Sequence, residues 1–131
     1  MNMPRLAVLL AVAAVLPCHP VHAAPKRATV PVSFQGAWDA RAGKCRASQG
    51  DARLVISPGR LKFYESEGPV RAVVTRGEAE VAIISELSGE GTSRLVLSHF
   101  QLSPDGRRLS DISAGSGGLV RYRCAVARSF R

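Results

Sequence analysis

From Phe34 onward, short apolar stretches recur about every ten residues with turn residues between them, which is the punctuation of an antiparallel β protein. Strands are expected near 33–40, 52–57, 60–66, 69–75, 79–87, 93–102, 108–112 and 119–127. The breaks have turn chemistry: Ser57-Pro58-Gly59, Glu67-Gly68-Pro69, Arg76-Gly77, Ser88-Gly89-Glu90-Gly91 and Ser103-Pro104-Asp105-Gly106. Alternation assigns faces within the strands. Leu54 shares a face with Ile56, and Leu61 with Phe63. Val70, Ala72 and Val74 are expected on one face of the fourth strand, with Arg71, Val73 and Thr75 opposite. Val81, Ile83 and Leu87 line one side of the fifth strand, and Val120, Tyr122, Cys124 and Val126 one side of the last. Beyond the leading segment no stretch keeps a period of 3.6, so helix is expected to be minor.

The leading segment follows a different plan. Arg5 is followed by an unbroken apolar run, Leu6 to Leu16, which Pro17 ends. Val21-His22-Ala23 then places small residues at the −3 and −1 positions before Ala24. That is the pattern of a cleavable signal peptide over residues 1–23. The run is too short to cross a bilayer, which needs about 20 apolar residues, so no transmembrane anchor is expected in the mature form. Pro17 stands where a lipoprotein site would have a small residue, so Cys18 is expected to leave with the leader. Residues 24–32 read as a flexible N-terminal arm and 33–131 as one β domain, periplasmic or secreted.

Cleavage leaves two cysteines, Cys45 and Cys124, and an even pair in an exported protein reads as a disulfide. Cys45 follows the first strand and Cys124 lies in the last, so the bond requires the two ends of the sheet to meet. About eight strands with short turns fit a sandwich or an up-and-down barrel. Closing the first strand on the last also removes both exposed edges. The expected fold is therefore all-β: a small antiparallel up-and-down barrel of about eight strands, closed by one disulfide.

Charge changes this picture little. Losing Arg5 with the leader leaves seventeen Lys and Arg against ten Asp and Glu, a balance of +7. Such a balance admits an anionic partner, whether a protein or another envelope component. The basic residues are scattered, however, and never form a run longer than two, which reads first as a solvated surface.

Phe34-Gln35-Gly36-Ala37-Trp38 carries G-x-W at the start of the first strand. This resembles the lipocalins and other calycin-like barrels. The resemblance implies that Gly36 and Trp38 form a barrel plug, the tryptophan packing across one end with a C-terminal arginine over it. Arg121, Arg123 and Arg128 are the candidates. The chain also resembles the small periplasmic inhibitors of secreted bacterial metalloproteases, which have G-x-W, then a cysteine, then an eight-stranded barrel. Their second cysteine comes soon after the first, whereas Cys124 is at the far end here. A third group, small exported bacterial proteins of unassigned function, is similar over most of residues 34–124. The shared features are the G-x-W…C start, Asp51-Ala52-Arg53-Leu54-Val55-Ile56, Phe63-Tyr64-Glu65-Ser66 and Arg121-Tyr122-Arg123-Cys124. That resemblance implies fold and compartment and brings no activity.

No residue pattern names a reaction. After the leader His99 is the only histidine, so with both cysteines in a disulfide a His/Cys zinc site is not expected. His99 reads as a strand-surface residue, without a G-x-S-x-G serine to serve. Glu65 with Glu67, and Glu78 with Glu80, read as solvated strand faces. Gly115-Ser116-Gly117-Gly118 precedes no helix and reads as a hairpin loop, not a phosphate cradle. Most of the aromatics fall on apolar faces, so nucleic-acid binding is not expected. No catalytic, metal or cofactor residues are assigned, and no cofactor is expected. The expected function is a non-enzymatic binding or inhibitory module whose turns at 88–92 and 113–118 make the contact surface. The alternative is a carrier of a small apolar ligand, as in lipocalins. An eight-stranded barrel has an interior that side chains can just fill, and Trp38, Phe63 and Phe100 favour filling.

Overall fold

The computed structural model describes residues 28–42, 45, 50–115 and 117–125. The leader, the arm up to Arg27, Arg128 and the expected end of the last strand lie outside them. Eight strands run in chain order: β1 Gly36–Asp39, β2 Leu54–Ser57, β3 Arg60–Lys62, β4 Glu67–Arg76, β5 Glu80–Gly89, β6 Thr92–Leu102, β7 Arg108–Asp111 and β8 Val120–Arg123. Each pairs antiparallel with the next, and β1 pairs with β8 through Trp38↔Arg123 and Asp39↔Tyr122. The fold is thus an all-β, closed, up-and-down barrel. A disulfide joins Cys45 to Cys124, 79 residues apart in the chain.

The core runs through the barrel axis. Trp38, Phe34, Phe100, Leu54, Leu61 and Ile83 are fully buried there. The turns alternate between two ends. A 3₁₀ turn (Val32–Phe34) and the connections at 58–59, 77–79 and 103–107 gather at one end, which Phe34 and Trp38 fill. The connections at 63–66, 90–91 and 112–119 gather at the other, the mouth. Glu90 and Gly91 both have positive φ, 50° and 76°, as a two-residue type I′ hairpin requires.

Five expectations are corrected. The first strand starts at Gly36, because Pro31 and Val32 accept the N–H groups of Phe34 and Gln35 and close a turn before it. The end of the expected loose arm is anchored at one residue: Val30 is fully buried and donates its N–H to Pro58 O at 2.8 Å, while Val32 stays exposed. The expected break at Glu67-Gly68-Pro69 lies inside β4, and the real turn is 63–66, closed by Phe63 N–H on Ser66 O at 2.7 Å. Pro69 pairs with Arg60 of β3, and the N–H that bonds toward that strand is its neighbour's, Val70 donating to Gly59 O at 2.9 Å. Gly68 is required: a Cβ there would fall 1.7 Å from Glu86 O.

The fourth correction concerns the β4 face. The register to β5 shifts between Val70 and Ala72, so a bulge flips the alternation. Val70 and Val73 face the core, while Val74 is 67% exposed. The fifth is the face of β8. Val120 and Tyr122 point outward, and Arg121 and Arg123 point inward. Hydropathy alone misassigns this strand, since both inward guanidinium groups have partners that make burial tolerable.

Candidate functional site

The two ends of the barrel differ in what their inward side chains do. At the closed end Trp38 donates its Nε1 proton to Phe34 O at 3.0 Å, which ties the ring to the chain that leads into the barrel. Arg123 lies over the ring, 4.1 Å from its centre. Its guanidinium donates to three backbone carbonyls: Gly106 O at 2.8 Å, Gln35 O at 2.7 Å and Ser33 O at 2.6 Å. Of the three arginines named from the sequence, Arg123 therefore occupies that place. Gly36 has φ 121°, and a Cβ there would lie 3.2 Å from Arg123 Nη1. The G-x-W glycine thus serves both a backbone conformation and the approach of this arginine.

At the mouth a cleft of about 710 Å³ opens beside β6. Phe63, Leu87 and Val96 give it apolar walls. Asp51, Glu65, Asp111 and Arg94 also line it, so its titratable lining is mainly acidic in a chain whose overall balance is +8. Deeper in the mouth, Arg121 is only 5% exposed and lies over Phe63, 5.9 Å from the ring centre. Its Nε donates to Ala52 O at 2.6 Å, and its Nη1 stands 3.8 Å from Asp111 Oδ2. Burial pushes the guanidinium below its ordinary pKa, while Asp111 and Asp39 act in the opposite direction. Nη1 has no hydrogen-bond partner among the described residues, and neither has Ser85 Oγ on the facing strand. Asp111 Oδ1 accepts from Ser113 N–H and Ser113 Oγ–H, and Ser113 Oγ accepts from His99 N–H at 2.9 Å. This chain of bonds pins the 112–119 connection to β6.

The residues considered from the sequence fall in several places. The turns at 88–92 and 113–118 both lie at the mouth. His99 is on the outer face, with Nε2 3.5 Å from Glu80 Oε2. Glu65 and Glu67 do not share a strand face: Glu65 lines the cleft, and Glu67 pairs with Arg60 at 3.1 Å. Glu78 is in a turn, apart from Glu80 in β5. Among the described residues no group of three or more His, Cys, Asp or Glu is placed to hold a metal ion. Sequence reasoning missed the inward Arg121 and its neighbour Asp111. The available signal was the alternation of arginine with Val120 and Tyr122 along β8.

The fold defines a class of architecture, a closed eight-stranded antiparallel up-and-down barrel, which is consistent with a calycin-like form. Comparison with known proteins gives no matching family model, no matching curated protein and no matching solved structure.

Proposed function

We propose that the mature protein is an exported, non-enzymatic binding module that meets a macromolecular partner of the cell envelope with the turns of its mouth. The observation that carries this reading is the filling of the barrel. Phe34, Trp38 and Phe100 occupy the axis, and the cleft beside the two mouth turns has mixed apolar and acidic walls. Carriage of a small apolar molecule calls for an apolar hollow, and Asp51, Glu65 and Asp111 suit such a cargo poorly. Export rests on the signal-peptide pattern of residues 1–23.

The test is position-specific crosslinking in the periplasm. A photoreactive residue at Glu90, at the mouth, is expected to capture a partner, and one at Glu78, at the closed end, is not. Equal capture at both ends overturns the assignment of the surface. A small apolar molecule retained stoichiometrically in a native mass spectrum overturns the module reading in favour of the carrier.

A further inference from the structure

β6 has eleven residues, and its two edges are used unequally. Toward β5 it is paired along its whole length, from Thr92↔Gly89 to Gln101↔Glu80. Toward β7 it is paired only at Phe100, Gln101 and Leu102. His99 is the last residue tied on that side: its N–H donates to Ser113 Oγ, and its carbonyl accepts from Ile112 N–H. Backbone direction alternates along a strand, so Leu97, Leu95 and Ser93 aim their N–H and C=O groups the same way as His99. Among the described residues no strand pairs with them there. The same two leucines are 58% and 68% exposed on the outer face. The inward neighbours Arg94 and Val96, and Leu97 at the edge, border the acid-lined cleft. An open ladder, exposed apolar side chains and an acidic recess thus coincide on one five-residue segment.

We propose that this edge pairs with the same edge of a second copy, giving a two-fold antiparallel β6–β6 dimer centred on Leu95. A two-fold axis there sets Leu95 opposite its counterpart, Leu97 opposite the partner's Ser93, and Val96 opposite the partner's Arg94. The open backbone groups of 93, 95 and 97 are then bonded, and the exposed leucines join across the seam. Charge selects the occupant. The incoming strand presents one side chain to the cleft between residues 93 and 97 that can answer Asp51, Glu65 and Asp111, and in a second copy it is Arg94. Each copy's arginine then meets the other's acids. β4 is also unpaired toward β3 beyond Pro69, but it exposes only Val74 as a large apolar side chain, and Val74 lines neither the cleft at the mouth nor the one beside Glu78 and Asp105 at the closed end. Pairing over 93–97 stops short of the Glu90–Gly91 tip, so it is separate from the partner contact proposed above.

Sedimentation velocity of the disulfide-bonded mature protein, from micromolar to millimolar concentration, tests the proposal. A reversible monomer–dimer equilibrium is expected. Amide exchange gives the direct signature: Leu95 and Leu97 exchange rapidly in dilute protein and become protected as dimer forms, while Arg94 and Val96, bonded to β5, are protected throughout. Leu95→Pro removes an N–H that the monomer leaves unused and is expected to abolish dimerisation. Arg94→Glu, which leaves the ladder intact, is expected to weaken it by about tenfold or more by setting acid against acid. It also keeps the proposal testable if the proline variant fails to fold. Val74→Lys is the control and is expected to change nothing. A monomer at every concentration overturns the proposal. So does a dimer that survives Leu95→Pro and Arg94→Glu, or one that Val74→Lys disrupts. A protein that stays monomeric alone and protects Leu95 and Leu97 only in complex with another protein assigns the edge to that protein and overturns self-pairing.

Discussion

Replacing Arg123 by Ala removes more than a surface charge, and the structure supports a worked magnitude. The guanidinium donates to carbonyls of three separate segments: Ser33 and Gln35 before β1, and Gly106 in the β6–β7 turn. A hydrogen bond from a charged donor contributes about 1.5–3 kcal/mol when its acceptor is otherwise buried. Ser33 is exposed and its carbonyl regains water, so two bonds carry most of the loss. The contact over Trp38 adds about 1 kcal/mol. The terms overlap, since one side chain makes them all, and we expect a net loss of about 3 kcal/mol. For a domain of this size that lowers Tm by about 12–24 °C. Urea unfolding followed by the fluorescence of Trp38, the sole tryptophan, measures it. Arg123→Lys is expected to recover little, because a single ammonium cannot span three carbonyls in a plane. A loss below about 0.5 kcal/mol for alanine, or a lysine variant equal to the parent, refutes the reasoning: either result would mean that the clamp is a solvated side chain of the kind that surface substitutions barely disturb.

Trp38→Ala is expected to cost about 3–5 kcal/mol, since the ring is fully buried. Native emission is accordingly expected to be blue-shifted and to move red on unfolding, and emission already that of a water-exposed indole would refute the plug. Gly36→Ala is expected to cost about 1–3 kcal/mol, because the residue combines φ 121° with the Arg123 contact, and equilibrium unfolding gives the value. The mature protein is expected to have no free thiol, and reducing the bond is expected to remove up to about 4.5 kcal/mol, the chain-entropy value for a loop of this length. Thiol labelling after denaturation without reductant decides the first point. Asp105 accepts from Ser103 Oγ and from Arg107 N–H, and these bonds hold its carboxyl below the ordinary value of 3.8. A depressed folded value means that the contribution is present above the unfolded pKa and is lost as pH falls through the folded one. Protection of the Arg107 amide, relative to its intrinsic exchange rate, is expected to fall only as pH drops below that ordinary value, and loss of protection already near neutrality would refute the assignment.

Architecture was legible where local chemistry and hydropathy agree. Turn residues at Pro58-Gly59 and Pro104-Asp105-Gly106 marked real connections, and the position of the two cysteines called for a closed sheet. Legibility failed where long-range contacts decide. The bulge after Val70 turns Val74 outward, and no local residue announces it. An arginine over Trp38 was expected only through the resemblance, with three candidates, and alternation did not mark Arg121 or Arg123 as inward-facing, because their burial depends on carbonyls 69 to 90 residues away in the chain. The two turns of the mouth were legible, but the cleft beside them was not. Its walls come from Asp51, Phe63, Leu87, Val96 and Asp111, which no short motif unites.

The position of the two described chain ends has a practical consequence. Val30 is bonded to the Pro58 turn, and β8 runs from the mouth toward Ser33 and Gln35, where Arg123 is bonded, with Cys124 N–H on Ala37 O. The chain therefore comes in and goes out through the plugged end. A tether, label or fused domain joined directly before Ala28 or after Ala125 is rooted on the side away from the acidic cleft. Immobilising the protein by a handle at either of these points would leave the mouth pointing into solution, much as a cup is held by its base.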